Sequence, residues 1–232
     1  EGDSSHPDIS HPRETPGSKN DYWDHVDYIV NGIKQRGMCL VAFPVWGRAY
    51  VDGRRGKPRL QTIFTEEAKS FGEFLGNRYK NEPHIIWCLV ADTSPDYIPG
   101  AMDIYRWMAM GLAKGVSGSS YYPGYTDQGN RIWDKILLTF HDGADPTQWY
   151  QGEAWLDFNM YHIWGKPEDV YEGMYAGHQR NIPAVLGEGS YEGGAYFREC
   201  GWLDAFKARL QGYHTFFAGG PCGAQTVKGA HG

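Results

Sequence analysis

The chain has 232 residues and a formal net charge of −6, a size that supports one large core without requiring two domains. A negative balance with scattered lysines and arginines argues against nucleic acid as the main partner, because a phosphate backbone needs a basic surface. With 41% hydrophobic and 22% charged residues, it contains no apolar run of the roughly 20 residues that span a bilayer as a helix.

Residues 1–20 are rich in Ser, Pro, Gly, His and acids and read as a loop. Helical spacing begins after Asp21, where Tyr22, Val26, Ile29, Val30 and Ile33 share a face and Gly37 supplies a stop. Met38 to Phe43 is a continuous apolar run, the pattern of a parallel strand buried on both faces. It ends in Pro44-Val-Trp-Gly47, and a polar loop carrying Arg54, Arg55, Lys57 and Arg59 follows. The cycle then repeats. Thr65-Glu-Glu67 opens a helix with Ala68, Phe71, Phe74 and Leu75 on its apolar face, and Ile85 to Ala91 forms a second buried strand that ends at Asp92. A helix over about Met102–Lys114 leads to an aromatic, Gly-rich loop from Tyr121 to Gly129. Ile136–Phe140 and Leu156–Met160 read as strands, a helix lies near Val170–Arg180, Ala184–Gly187 is a further strand, and a helix near Leu203–Phe217 precedes a Gly-rich tail.

Alternating helix and strand indicates a parallel sheet with helical crossovers, either doubly wound or closed as an eightfold barrel. Gly187-Glu-Gly-Ser-Tyr-Glu192 is not GxGxxG and no GxxxxGK[ST] occurs, so the doubly wound form lacks its usual phosphate-binding signature. Trp46, Asp92, His141, Tyr161 and Glu188 fall where strands end, as expected at the C-terminal rim of a (β/α)8 TIM barrel. About six βα units are visible where a barrel needs eight, so either two have escaped the pattern or the N-terminal quarter is missing.

Several chemistries lack their motifs. There is no HExxH and no GxSxG, and the nine histidines are dispersed without ligand spacing, so neither a metal nor a cofactor is called for. The four cysteines show no CxxC; Cys39 and Cys88, inside apolar runs, read as small hydrophobes. Two acids stand out, Asp92 and Glu188, each directly after a buried strand, and Glu188 has glycine on both sides. Glycine there permits close approach of backbone or ligand. Glycoside hydrolysis needs such a pair, one carboxyl to protonate the leaving oxygen and one to attack the anomeric carbon or activate water. The content of 9 Trp, 16 Tyr and 10 Phe fits sugar recognition as well as core. Trp46, His141, Asn159, Tyr161 and Tyr191 are the candidate substrate contacts, and Glu192 is the rival to Glu188.

Tyr22-Trp-Asp-His-Val-Asp-Tyr28, Pro44-Val-Trp-Gly47, Phe71-Gly-Glu-Phe-Leu-Gly-Asn-Arg-Tyr79, Pro83-His-Ile-Ile-Trp87, Leu137-Leu-Thr-Phe-His141, Trp155-Leu-Asp-Phe-Asn159 and Gly187-Glu-Gly-Ser-Tyr-Glu192 together resemble the apiosidase-like family, over about residues 21–232. The resemblance implies a barrel glycosidase with Asp92 as acid/base and Glu188 as nucleophile of a retaining mechanism. It implies a plant-type polysaccharide or side chain as substrate and a secreted or periplasmic location. It also implies that residues 1–20 belong to the loop after the second barrel strand, with the first two strands absent and 21–232 a partial barrel. The chain departs from the family pattern at Ala91 and Ser94, where Gly and Asn are usual, and at Gly189-Ser190, where Pro-Arg is usual. The reaction class is therefore carried over and the sugar left open. The rival expectations are a carbohydrate-binding barrel without catalysis and a fragment inactive alone.

Overall fold

The computed structural model describes residues 22–45, 65–89, 94–95, 100–142, 147–150, 152–180, 182–192, 195–196 and 201–220. Helix α1 (Tyr22–Gln35) leads into β1 (Leu40–Ala42), α2 (Thr65–Tyr79), β2 (Ile85–Cys88), α3 (Ala101–Ser117) and β3 (Leu138–Asp142). A short α4 (Thr147–Tyr150), β4 (Phe158–His162), α5 (Pro167–His178) and β5 (Ala184–Glu188) follow. The two-residue strands β6 (Ala195–Tyr196) and β7 (Gly201–Trp202) pair antiparallel, and α6 (Ala205–Phe217) completes the described elements.

The strand order is β1-β2-β3-β4-β5, and all four pairings are parallel. Each strand lies beside its predecessor, with no reversal of order. A doubly wound sheet reverses its order at a switch point, whereas a barrel advances in one direction. The architecture is therefore an arc of parallel βα units of the barrel kind.

Strand alternation fixes two faces. Trp87 packs on Tyr79 of α2, and Phe140 packs on Tyr105 of α3 and Tyr150 of α4. These residues and their register partners therefore face the helix layer. Much of the aromatic content is used there: Trp23, Trp87, Tyr105, Phe140, Tyr150 and Trp155 all lie in the buried cluster between sheet and helices. Arg106 of α3 grips the buried carboxylate of Glu153 with Nε at 2.9 Å and Nη2 at 2.6 Å, and Trp155 Nε1 donates to its other oxygen at 2.8 Å. That charge-assisted fork ties α3 to the segment before β4.

The strands of the middle region begin two residues later than the apolar runs suggest. Ile136 and Leu137 precede β3, and Leu156 and Asp157 precede β4, because the Asp157 carboxylate accepts the Leu138 amide at 2.7 Å and occupies the first ladder position. Cys88 is buried as expected, whereas Cys39 is exposed just ahead of β1, so the small-hydrophobe reading holds for one of the two. Asp92, Trp46 and the basic loop at 54–59 lie outside the described residues.

Candidate active site

Glu188 closes β5. By simple alternation it would share the helix-facing side with Ala184 and Leu186, which lie in a second core cluster with Tyr161, Val170 and Met174. A β-bulge prevents this. Tyr161 pairs with Leu186 and the next residue, His162, pairs with Glu188, leaving Gly187 as the extra residue. A bulge re-aims the side chain that follows it, and here it turns the Glu188 carboxylate to the opposite face, toward His141 and His162. A Cβ on Gly187 would meet Met160 Cγ at 2.3 Å and His141 Cδ2 at 3.0 Å, so any larger residue at the bulge position must displace a neighbouring side chain.

Three neighbouring strands supply the surroundings of that carboxylate. His141 Nε2 of β3 lies 3.6 Å from Glu188 Oε2, and His162 Nε2 of β4 lies 3.7 Å from Oε1. The two imidazoles stack at 5.0 Å with planes 24° apart. The Tyr191 hydroxyl donates a hydrogen bond to Oε1. Trp164 sets its ring edge-to-face against His162 at 4.4 Å and against Tyr191 at 5.8 Å, and Phe43 approaches His141 at 6.0 Å. Trp164 and Phe43 remain 38% exposed, which makes them apolar walls open to a ligand. His141, His162 and Glu188 also form a group of donors able to hold a metal ion, with all three ligand atoms within 4.8 Å of one another.

The turn after Glu188 is clamped from α6. Gln211, buried in the packing, accepts from the Ser190 amide at 2.9 Å and donates to the Ser190 carbonyl at 3.2 Å. Ser190 Oγ donates to the Gly165 carbonyl at 3.1 Å. A Cβ at position 189 would come within 2.7 Å of Gln211 Oε1. The Gly189-Ser190 pair thus fits a clamp that a Pro-Arg pair would obstruct, and the clamp delivers Tyr191 to the carboxylate.

Of the residues singled out from sequence, Glu188, His141 and Tyr191 converge. Asn159 and Tyr161 do not join them. They share one face of β4, as expected, but it is the face toward the helices. Asn159 pairs with Phe140 and is fully buried, and Tyr161 packs under α5, where a Cβ on Gly177 would meet its hydroxyl at 2.6 Å. The residue of β4 that reaches the site is His162, of opposite parity. Sequence reasoning missed it, although a histidine closing the strand was a usable signal. Gln211 and Trp164 were missed as well, and Gln211 carries no local sequence signal at all. Among the described residues, His141, His162 and Tyr191 gather on Glu188.

The sequence matches the family model described as the apiosidase-like catalytic domain over residues 2–231. The chain belongs to the apiosidase-like family. Among solved structures, this apiosidase-like chain is similar to a glycoside hydrolase family 5 protein from Bacteroides vulgatus ATCC 8482, with a TM-score of 0.70 and 23% identity over 95% of this chain and 46% of that one. It is similar to a second structure described as a glycoside hydrolase, with a TM-score of 0.68 and 22% identity over 95% of this chain and 49% of that one. A Thermobacillus composti GH10 xylanase superposes with a TM-score of 0.55 and 10% identity over 97% of this chain and 74% of that one. The apiosidase-like chain spans about half the length of the first two. None of the curated proteins matches it. Among the described residues, no helix is long and apolar enough to cross a membrane.

Proposed function

We propose that this protein is a retaining glycoside hydrolase acting on a plant-type polysaccharide or its side chains, with Glu188 as nucleophile and Asp92 as acid/base. The sheet is read as an arc of an eight-stranded barrel whose C-terminal rim carries the site. The observation that supports this most is the Glu188 carboxylate itself, turned by a glycine bulge to face two imidazoles and held at one oxygen by Tyr191. A carboxylate waiting to attack needs one fixed orientation and a free lone pair. Tyr191 engages Oε1 and so fixes the orientation of the carboxylate.

The Glu188 carboxylate attacks the anomeric carbon while Asp92 gives its proton to the departing glycosidic oxygen, so the C–O bond breaks and a glycosyl ester of Glu188 forms. Asp92, now a carboxylate, takes a proton from water as that water attacks the same carbon, which releases the sugar and restores both groups. Trp164 and Phe43 offer apolar surface to the C–H face of a sugar beside the reacting centre.

The reading is tested with an aryl glycoside series and a 2-fluoro glycoside inactivator. Retained anomeric configuration by NMR and a covalent adduct on the peptide containing Glu188 are expected. Glu188→Gln should lower turnover by about a thousandfold or more. Inverted product, or turnover untouched in Glu188→Gln, sinks the assignment. Sugar binding without any turnover points instead to a carbohydrate-binding barrel.

A further inference from the structure

We propose that His141, His162 and Glu188 form a binding site for a divalent transition-metal ion such as Zn2+, and that its occupancy switches hydrolysis off. The first half of this statement is independent of the activity, and the second rests on Glu188 being the nucleophile.

The donor set selects the ion. Two imidazoles and one carboxylate suit Zn2+, Ni2+, Cu2+ or Fe2+, whereas Mg2+ and Ca2+ seek oxygen alone. Zinc bonds nitrogen and carboxylate oxygen at about 2.0–2.2 Å, which places donors sharing one ion roughly 3–3.5 Å apart. His141 Nε2 and His162 Nε2 already stand 3.6 and 3.7 Å from the two Glu188 oxygens, and the three donor atoms lie within 4.8 Å of one another. Closing the set therefore takes side-chain movements of about 0.5 Å at the two His–Glu pairs and at most about 1–2 Å at the widest pair.

The scaffold is suited to holding them there. The donors come from the ends of three adjacent parallel strands, β3, β4 and β5, hydrogen-bonded to one another in fixed register. Elements of this kind position ligands more tightly than loops do. The side chains are 5%, 9% and 14% exposed, so the ion would sit where competing water is scarce and its attraction to the carboxylate is strong. Phe43 and Trp164 pack against the two imidazoles from either side and limit how far the rings can turn away. Three protein donors leave a coordination position for water or a sugar hydroxyl.

Metal ligation and nucleophilic attack use the same lone pairs. A carboxylate bound to Zn2+ has its charge withdrawn into the bond and cannot attack carbon, so bound metal and turnover exclude each other at Glu188.

The test is calorimetric titration of ZnCl2 into EDTA-stripped protein, with Co2+ as a spectroscopic substitute whose visible absorption reports low-coordinate nitrogen and oxygen ligation. One saturable site is expected, weakened tenfold or more in His162→Gln and in Glu188→Gln. Thermal melting confirms that both variants are folded, and the Co2+ spectrum of the unaltered protein does not depend on them. Zinc should also abolish hydrolysis, and EDTA should restore it. Absence of saturable zinc binding, or binding indifferent to both substitutions, overturns the proposal. Zinc that binds as expected to a protein showing no hydrolysis when metal-free leaves the site standing and removes the glycosidase reading instead.

Discussion

A methyl group at position 187 would lie 2.3 Å from Met160 Cγ and 3.0 Å from the His141 ring, well inside contact distance, so Gly187→Ala must displace one of them. Overpacking of this kind costs about 1–3 kcal/mol, and because the strained residue adjoins Glu188, the carboxylate moves with it. A misplacement of about 1 Å at a reacting group lowers rate by roughly a hundredfold, which is the fall in kcat expected for Gly187→Ala in steady-state kinetics. A kcat equal to that of the unaltered protein would show that the bulge does not aim the carboxylate. The glycines around Glu188 were visible in the sequence as places of close approach, and so was the acid itself. What no spacing rule could show is that Gly187 is a bulge residue. By plain alternation Glu188 belongs with Ala184 and Leu186 on the buried side, and only the pairing of His162 with Glu188 reverses it. The same alternation, applied to β4 from the wrong starting face, selected Asn159 and Tyr161 and passed over His162. A one-residue error of face exchanges every candidate on a strand.

Helices α2 and α3 approach more closely than side chains normally allow. Gly72 and Gly76 on α2 face Gly111 and Gly115 on α3, and each helix presents its glycines four residues apart. A Cβ at Gly72 would meet the Met108 carbonyl at 2.4 Å, and one at Gly111 would meet the Lys69 carbonyl at 2.1 Å. Backbone cannot rotate away as a side chain can, so the helices themselves must part. Around this seam Lys114 Nζ pairs with Glu73 at 2.8 Å, and the Tyr122 hydroxyl donates to the other oxygen of the same carboxylate. Lys69 and Lys114 sit over the Tyr122 ring at 4.4 and 4.3 Å. Gly111→Ala is expected to lower stability by about 1–3 kcal/mol, a fall in Tm of several degrees at roughly 2–4 °C per kcal/mol for a domain of this size. Its KM should be unaltered, since the seam lies on the outer layer, away from Glu188. Differential scanning calorimetry with parallel kinetics checks both, and an undiminished Tm would mean that the seam is looser than described. Both glycine pairs stand in the sequence at helical spacing, but spacing within each helix does not reveal that the two face each other.

Across the molecule, alternating apolar runs and helical faces were enough to read a parallel sheet with helical crossovers, because each βα unit carries its own local signature, whereas the one-directional strand order appears only in the pairings. The short antiparallel pair β6–β7 escaped notice because two-residue strands are below any pattern. Distribution of core, in contrast, appears only in the packed structure, and it has a consequence for dynamics. The large buried cluster runs from Trp23 through α2, α3 and β3 to Trp155, and is built of aromatic and long aliphatic residues. Among the described residues, the cluster beneath α5 and β5 is smaller, with Tyr161, Val170, Met174, Ala184, Leu186 and Ala218 buried in it. Helix α6 buries Ala208, Gln211 and Thr215, while Phe206, Tyr213, Phe216 and Phe217 are exposed. Buried apolar area is the main favourable term in folding, so, among the described residues, the part that carries Glu188 and its Gln211 clamp has less buried apolar packing than the α2–α3 half. Regions with fewer buried apolar contacts open at lower free energy. Native-state hydrogen exchange followed by mass spectrometry should therefore show amides of α5, β5 and α6 losing protection at lower denaturant than those of α2 and α3. A ligand occupying the Glu188 site should raise protection in the first group and leave the second unchanged, because binding stabilises only the states that retain the site. Equal protection in both halves, or earlier opening of α2 and α3, would contradict the packing argument and place the weak region elsewhere.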